Sequence, residues 1–539
     1  MHFALAELLK KGDKFIPKNI LEIKGKKSDK KSLDLVGEFD ENDPPNIILK
    51  VSDKKKKALE DLGISSLPKY CDLIPLPKQI YKRMLPDLVR QAEGWVYERK
   101  KLPDAMVHLL EKRSIPELIH LNKKIRTNPE ETASYLTEFL SSAEGITLSL
   151  QGPPGTGKTT VTGELIARLV DKGKRVAVSS QTHEAINNLL KRVQKKAESI
   201  ATNPFVVKLS SGTSEKSDQR SLSGTKVQAL RENALNCEPN VLGATVFSLV
   251  KERFGEEPYD LLVVDEAGQV SLSNLLYMSH CARNILLVGD QNQLSQPNRA
   301  KHPEDSGLSC LEYVMGKEKV VPSDRGVFLA TSWRMPPSLT SVVSDLFYQG
   351  ELQSCISKSE NKILWEGLQQ GLSFEPVEHS SNSSESKEEI DRIEQLVNQL
   401  LGCSYQLVQQ NNEGTSVIKG IISPNEILIT APYNLQVNQL EHRLSGKARI
   451  CTVDRFQGQE APISIHSLTA SDAENAPRGI GFVLDPDRLN VAISRAQCLS
   501  IVVGSPKLAT GITGTVEGVM QVNRLCRILD SARQPVSLL

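Results

Sequence analysis

Apolar positions along the chain fall into two rhythms that alternate. Short runs of four or five mostly apolar residues (Ile146 to Leu150, Arg175–Ser179, Leu261–Val264, Asn284–Val288, Gly326–Ala330 and residues 426–430) end at small or polar turn residues. Between them lie stretches with apolar residues at helical spacing, such as Leu165, Ile166 and Leu169. Strands buried on both faces read as continuous apolar runs, and strands joined through helices lie parallel. The pattern therefore predicts an α/β fold: two tandem parallel sheets with helices on both faces, behind an N-terminal accessory α+β region. Boundaries fall at 1–125 for the accessory region, 126–322 for the first α/β domain and 323–539 for the second. Within the accessory region, Ser32–Glu38 and Asn46–Val51 read as strands around DENDPP, and Pro77–Lys101 and Pro103–Lys123 as long helices. VLGATVFSL (241–249) reads as a strand ending at Ala244-Thr245. Ser210 to Thr225 and Ser380 to Glu389 read as loops, and Glu389–Leu401 as an amphipathic helix.

The breaks between runs carry the chemistry. Directly after Leu150 the chain reads QGPPGTGKTT, so Gly152, Pro153, Gly155, Thr156, Gly157, Lys158, Thr159 and Thr160 fill a phosphate-binding loop between strand and helix. Its glycines let backbone N–H groups turn toward an anion, and the following helix aims its positive end there. Lys158 would reach the terminal phosphates of ATP, and the Thr159 hydroxyl would hold Mg²⁺. Leu261–Val264 ends in Asp265 and Glu266: the first would ligate Mg²⁺ through water, and the second would orient and deprotonate the attacking water. The next strand leads into GDQNQLSQP, where Gln293 is placed to sense the terminal phosphate and Asp290 to cap the loop. A Ser/Gln/Thr turn with Thr182 follows the 175–179 strand; it suits ligand contact as well as ordinary helix capping. The second half contains no further phosphate loop, so it cannot hold ATP alone. Its arginines, Arg334 and Arg495, would either complete a site on the first domain or form surface ion pairs.

Composition trims the alternatives. The net charge is +1, so any nucleic-acid site is a local groove and not a basic surface. The lysine runs near the N-terminus are interleaved with acids and read first as a solvated face. Glu22-Ile23-Lys24 with Asp13 resembles a nuclease core triplet, but the surrounding segment is short. The nine cysteines are scattered without a C-x-x-C pair, which disfavours zinc and disulfides and suits a reducing compartment. No apolar run approaches the roughly 20 residues of a membrane span, and the first residues do not read as a signal peptide.

The ordered series GPPGTGKTT, SSQTHEAINNL, DEAGQ, GDQNQLSQP, SWRMPP, APYNLQV, TVDRFQGQE and RLNVAISRA resembles superfamily 1 helicases of the Upf-like group, subgroup B, over about residues 140–505. DAMVHLLEKRSIPEL and APYNLQVNQL resemble prokaryotic members otherwise fused to a RecB-like nuclease. The resemblance implies ATP between two RecA-like domains and a single strand of DNA or RNA lying across both, with 5′→3′ movement. It makes Arg334 and Arg495 arginine fingers, Gln293 the coupling residue, Trp333 an adenine-stacking surface, and Gly458 and Glu460 nucleotide-proximal. Thr182, Thr245, Pro432, Tyr433, Thr452 and Arg455 then line the nucleic-acid path. Two family features are missing: the window NPEETASYLTEF before the phosphate loop has no glutamine, and no Cys/His-rich zinc domain precedes the core. The expected partners are single-stranded DNA or RNA and a nuclease or repair protein, with a monomer in the cytoplasm, nucleoid or nucleus and no membrane. The competing class is a P-loop ATPase that remodels protein complexes without unwinding.

Overall fold

In the computed structural model, the described residues are four short strands and one helix within 15–97, and then 101–532. Short gaps fall at 125–127, 211–213, 232–233, 235–237, 250–256, 295, 297–303, 366–367, 369, 412–413, 457 and 512–514. Residues 1–92 and 93–539 form two compact units. In the first, β1 (Phe15–Pro17), β2 (Val36–Phe39), β3 (Ile47–Lys50) and β4 (Leu73–Pro75) make an antiparallel sheet in the order β3-β2-β1-β4. β3 falls within its predicted strand, and β2 overlaps its own but runs one residue past it, to Phe39. The helix expected over 77–101 spans Gln79–Val96. Asp13 and the Glu22-Ile23-Lys24 triplet lie outside the described residues.

The second unit opens with an all-parallel eight-stranded sheet. Its strands are β5 (Thr147–Gln151), β6 (Val176–Ser179), β7 (Val206–Leu209), β8 (Gln228–Leu230), β9 (Val241–Gly243), β10 (Tyr259–Val264), β11 (Ala282–Gly289) and β12 (Gly326–Phe328). They run in the order β12-β5-β11-β10-β6-β9-β7-β8. Every residue of β5 is buried, as a strand covered on both faces requires. The Lys158–Asp171 and His183–Ser199 helices bury Leu165, Ile166, Leu189 and Leu190 against it.

Three expectations change here. The helix predicted over 103–123 is two, Asp104–Leu110 and Pro116–Lys124. Lys112 adopts φ +50°, and Pro116 cannot continue a helix from the preceding turn. Both pieces belong with the first sheet and not with the accessory region. Thr147 Oγ1 donates to Ala105 O (2.6 Å), Asn122 Nδ2 donates to Gly326 O (2.8 Å), and Leu118 is fully buried in the sheet's core. β12 pairs with β5, so the first sheet continues past the expected boundary at 322. The loop expected over 210–225 contains a helix, Glu215–Ser221. Asp218 anchors it by accepting from Ser210 Oγ (2.7 Å) and Asn187 Nδ2 (3.0 Å), tertiary bonds that override weak local propensity.

The chain then crosses through β13 (Thr331–Ser332), which pairs with β14 (Gln353–Ser354). An antiparallel group follows, formed by β15 (Lys362–Leu364), β17 (Ser404–Asn411) and β18 (Gly414–Ile421). The second parallel sheet contains β16 (Gly371–Pro376), β19 (Ile427–Ala431), β20 (Arg449–Thr452), β21 (Ala461–Ser467) and β22 (Ala496–Gly504), in the order β16-β22-β21-β19-β20. The Lys387–Leu400 and Asn434–Leu444 helices contribute to one core with these strands. The Pro337–Phe347, Pro486–Ile493 and Val516–Ser531 helices contribute to another.

Candidate active site

The phosphate loop sits where the sequence places it, between β5 and the Lys158–Asp171 helix. Gly155 (φ +75°) and Gly157 (φ +81°) are in the left-handed region, which glycine enters without a Cβ penalty. Gly152 N donates to Gly289 O (2.9 Å), fastening the loop to the end of β11. A Cβ on Gly152 would collide with Lys158 Cγ, so the loop closes tightly around its own lysine. Thr156 Oγ1 donates to Pro153 O (2.8 Å), and Lys158 Nζ donates to Gly152 O. Thr159 and Thr160 occupy the first helical turn.

The two carboxylates follow β10, one strand beyond β11 from the loop. Asp265 is buried, and Glu266 takes a left-handed conformation (φ +54°) while its N–H donates to Asp265 Oδ1 (3.0 Å). Burial first, and then the Glu266 charge, push the Asp265 carboxyl up to about 7, against the pull of the Glu266 N–H and Lys158. A buried carboxyl raised in this way fits a position completed by a cation. The 267–269 turn is pressed on the 289–291 loop, since a Cβ on Gly268 would lie 3.1 Å from Asp290 O.

Arg334 reaches this loop from the crossover segment. Trp333 N donates to Gly155 O (2.7 Å), and a Cβ on Gly155 would lie 2.5 Å from Arg334 Cβ. The Arg334 guanidinium is held from the second sheet: Nε donates to Glu460 Oε2 (2.6 Å) and Nη1 to Ser494 O (3.0 Å). Burial raises the Glu460 carboxyl, but Arg334, Gln497 and Lys358 outweigh it and leave it below its ordinary value. Arg495 lies just past the Pro486–Ile493 helix. It is 2% exposed, and Nη2 donates to Gln293 Oε1 at 3.4 Å. Burial, then the neighbouring Arg334 charge, lower it to about 9, so it stays cationic at neutral pH. Leu294 from the first half packs with Val453, Val491 and Ala492 from the second. Gly458 (φ +81°) precedes Glu460 on an exposed turn, and Gln457 lies outside the described residues.

Asp290 is more than the loop cap expected for it. It accepts from Gln293 Nε2 (2.8 Å), Tyr348 Oη (2.6 Å) and Gln151 Nε2 (3.4 Å). Asn490 Nδ2 donates to both Tyr348 Oη (2.7 Å) and Asn292 O (2.7 Å). Nothing local in LFYQGEL marks Tyr348 as part of the site.

The residues expected on the nucleic-acid path stand at the carboxyl ends of strands. Thr182 follows β6 and caps its helix by accepting from Ala185 N (3.2 Å), and Thr245 follows β9. Pro432 and Tyr433 follow β19, Thr452 ends β20, and Arg455 is exposed in the turn beyond. Tyr433 is buried, with its ring 5.4 Å from Phe482.

Two parallel sheets meeting at one seam, with a phosphate loop on the first alone, are the architecture of P-loop proteins with tandem RecA-like domains. AAA domain profiles match residues 130–304 and 308–507. The regulator of nonsense transcripts 1 homolog of Drosophila melanogaster is 26% identical over 67% of this chain and 33% of its own length. The putative helicase mov-10-B.1 of Danio rerio is 27% identical over 71% of this chain and 42% of its own. The DNA replication ATP-dependent helicase/nuclease dna2 of Schizosaccharomyces pombe is 28% identical over 68% and 27%. Together these matches support a superfamily 1 helicase of the Upf-like group. It spans well under half the length of these relatives. Among the described residues, no helix is long and apolar enough to cross a membrane.

Proposed function

We propose that this chain hydrolyses ATP and uses the closing and opening of its cleft to move along single-stranded nucleic acid and part duplexes. One observation carries the reading: Arg334 packs on the phosphate loop through its Cβ while its guanidinium is held by Glu460 and Ser494 of the second half. The first half runs through β12 and the second begins at β13. Lys158 and the loop N–H groups bind the phosphates. Arg334 and Arg495 approach from the opposite wall; an arginine so placed is worth about 10³–10⁵ in rate. Thr159 and Asp265 would hold Mg²⁺, which neutralises charge on the phosphate oxygens. Glu266 orients and deprotonates the attacking water. Gln293 contacts both Asp290 on its own loop and Arg495 across the cleft, so a change at the phosphates is felt by both halves. Trp333, fixed on Gly155 O, offers its ring to the base.

Grip on the strand comes from Thr182, Thr245, Pro432, Tyr433, Thr452 and Arg455. It rests mainly on phosphates and weakens as salt rises. Family membership supports 5′→3′ movement. The described cysteines are free thiols, in keeping with a reducing compartment such as the cytoplasm, nucleoid or nucleus.

Strand displacement on 5′- and 3′-tailed DNA and RNA duplexes, alongside ATPase rates with and without single strands, tests the proposal. Stimulation of hydrolysis by single strands together with unwinding of 5′-tailed duplexes is expected. Hydrolysis indifferent to nucleic acid would favour protein remodelling instead.

A further inference from the structure

The hydrogen bonds on Asp290 join three separate stretches of chain: the end of β5, the Gln293 loop and the segment after the Pro337–Phe347 helix. Through Tyr348 they extend to a fourth, the Pro486–Ile493 helix. A carboxylate can only accept. By accepting from Gln293 Nε2, Asp290 decides which way that amide faces and leaves Oε1 toward Arg495 Nη2. The same Oδ2 accepts from Tyr348 Oη, and Tyr348 Oη accepts from Asn490 Nδ2. Asn490 lies on the helix that ends just before Arg495, and its second bond, to Asn292 O, reaches the residue beside Gln293. One chain of contacts thus runs from Gln293 through Asp290, Tyr348 and Asn490 to the backbone that carries Arg495.

We propose that Tyr348 and Asn490 are positioning residues that set the register of Arg495 against Gln293 across the cleft. Neither touches the reacting phosphates. They act by making the Gln293 amide and the Arg495 guanidinium arrive together when the halves close. Tyr348 is well suited to this. It is fully buried, its ring lies 6.2 Å from that of Phe328, and burial with the adjacent Asp290 charge keeps its hydroxyl protonated far above the usual tyrosine range. It is therefore a permanent donor to Asp290. A purely structural tyrosine would contribute to stability alone. A register-setting one contributes to turnover through Arg495.

The inference rests on Arg495 and Gln293 serving the ATP site, and its test separates the two claims. Nucleic-acid-stimulated ATPase of the full chain is measured for Tyr348→Phe, Asn490→Ala, Arg495→Ala and the pairing of Tyr348→Phe with Arg495→Ala. Tyr348→Phe keeps the ring and removes one bond to a charged group, so kcat falls about tenfold with KM for ATP changed less than about twofold. In the Arg495→Ala background the same change costs less than about twofold, because the contact it serves is gone. Asn490→Ala lowers kcat in the same direction and replaces Tyr348→Phe should that variant fold poorly. Unchanged kcat in both single variants, or the same fold-loss with and without Arg495, overturns the inference while leaving the ATP site standing. Wild-type kcat in Arg495→Ala overturns both.

Discussion

Gly155→Ala puts the closeness of the two halves to a direct test. Its added Cβ would lie 2.5 Å from Arg334 Cβ, 3.0 Å from Ser332 Oγ and 3.2 Å from Arg334 N. The first of these is backbone-proximal carbon that cannot swing away. Two costs follow. Holding alanine at φ +75° costs about 1–2 kcal/mol wherever the halves are. Forcing a methyl into an occupied site costs a further 1–3 kcal/mol or so, relieved when the crossover segment withdraws. The second term therefore falls on the closed form, lowering its population about 5- to 150-fold. Gly173→Ala is the control. Gly173 has φ +79° with nothing within 4 Å of its added Cβ, so it incurs the backbone cost alone. Urea melts should show both variants destabilised. Steady-state ATPase with saturating single strands should show kcat at least about fivefold down for Gly155→Ala and unchanged for Gly173→Ala. Wild-type turnover in Gly155→Ala, or an equal loss in both variants, would refute the reasoning.

Lys158→Ala should abolish hydrolysis while single-strand binding without nucleotide persists in a gel-shift assay; near-normal hydrolysis would remove the loop from the mechanism. Arg334→Ala should lower kcat about 10³-fold or more, and Glu460→Gln, which frees the guanidinium without deleting it, should lower it much less; comparable losses would assign the effect to Glu460 itself. In nucleotide-free protein, the folded Asp265 carboxyl at about 7 binds protons that the unfolded one has lost. Stability therefore falls as pH rises from about 4 to 7, and Asp265→Asn removes that fall. Thermal melts should show the variant's advantage growing across this window and level above it; an advantage independent of pH would contradict the assignment.

The site residues that sequence exposes are those whose signal is local. GPPGTGKTT sits between an apolar run and a helical period, and Asp265-Glu266 ends a run of four apolar residues, so strand, loop and acid all declare themselves within a few positions. Long-range pairing does not. GVFLA reads correctly as a strand, yet nothing in it says that β12 joins β5 and not the sheet that follows. The β17–β18 hairpin is rich in Gln, Ser, Asn and Thr, which blurs the apolar alternation of a strand. Tyr348 lies 58 positions from Asp290, and Asn490 lies 198 from Asn292, so their part in the site belongs to the tertiary structure alone. The helix in 215–221 escaped for a similar reason: Asp218 is fixed by partners as far as 31 positions away.

Leu294, Val453, Val491 and Ala492 form a small oily button between the halves. Each larger side chain contributes at most about 1.5–3 kcal/mol when buried, and the alanine less. Such a fastener can be undone by ordinary thermal motion and refastened at every cycle. Its grip is thus a dial for how long the jaws stay shut, adjustable by trimming Leu294 without altering any group that reacts.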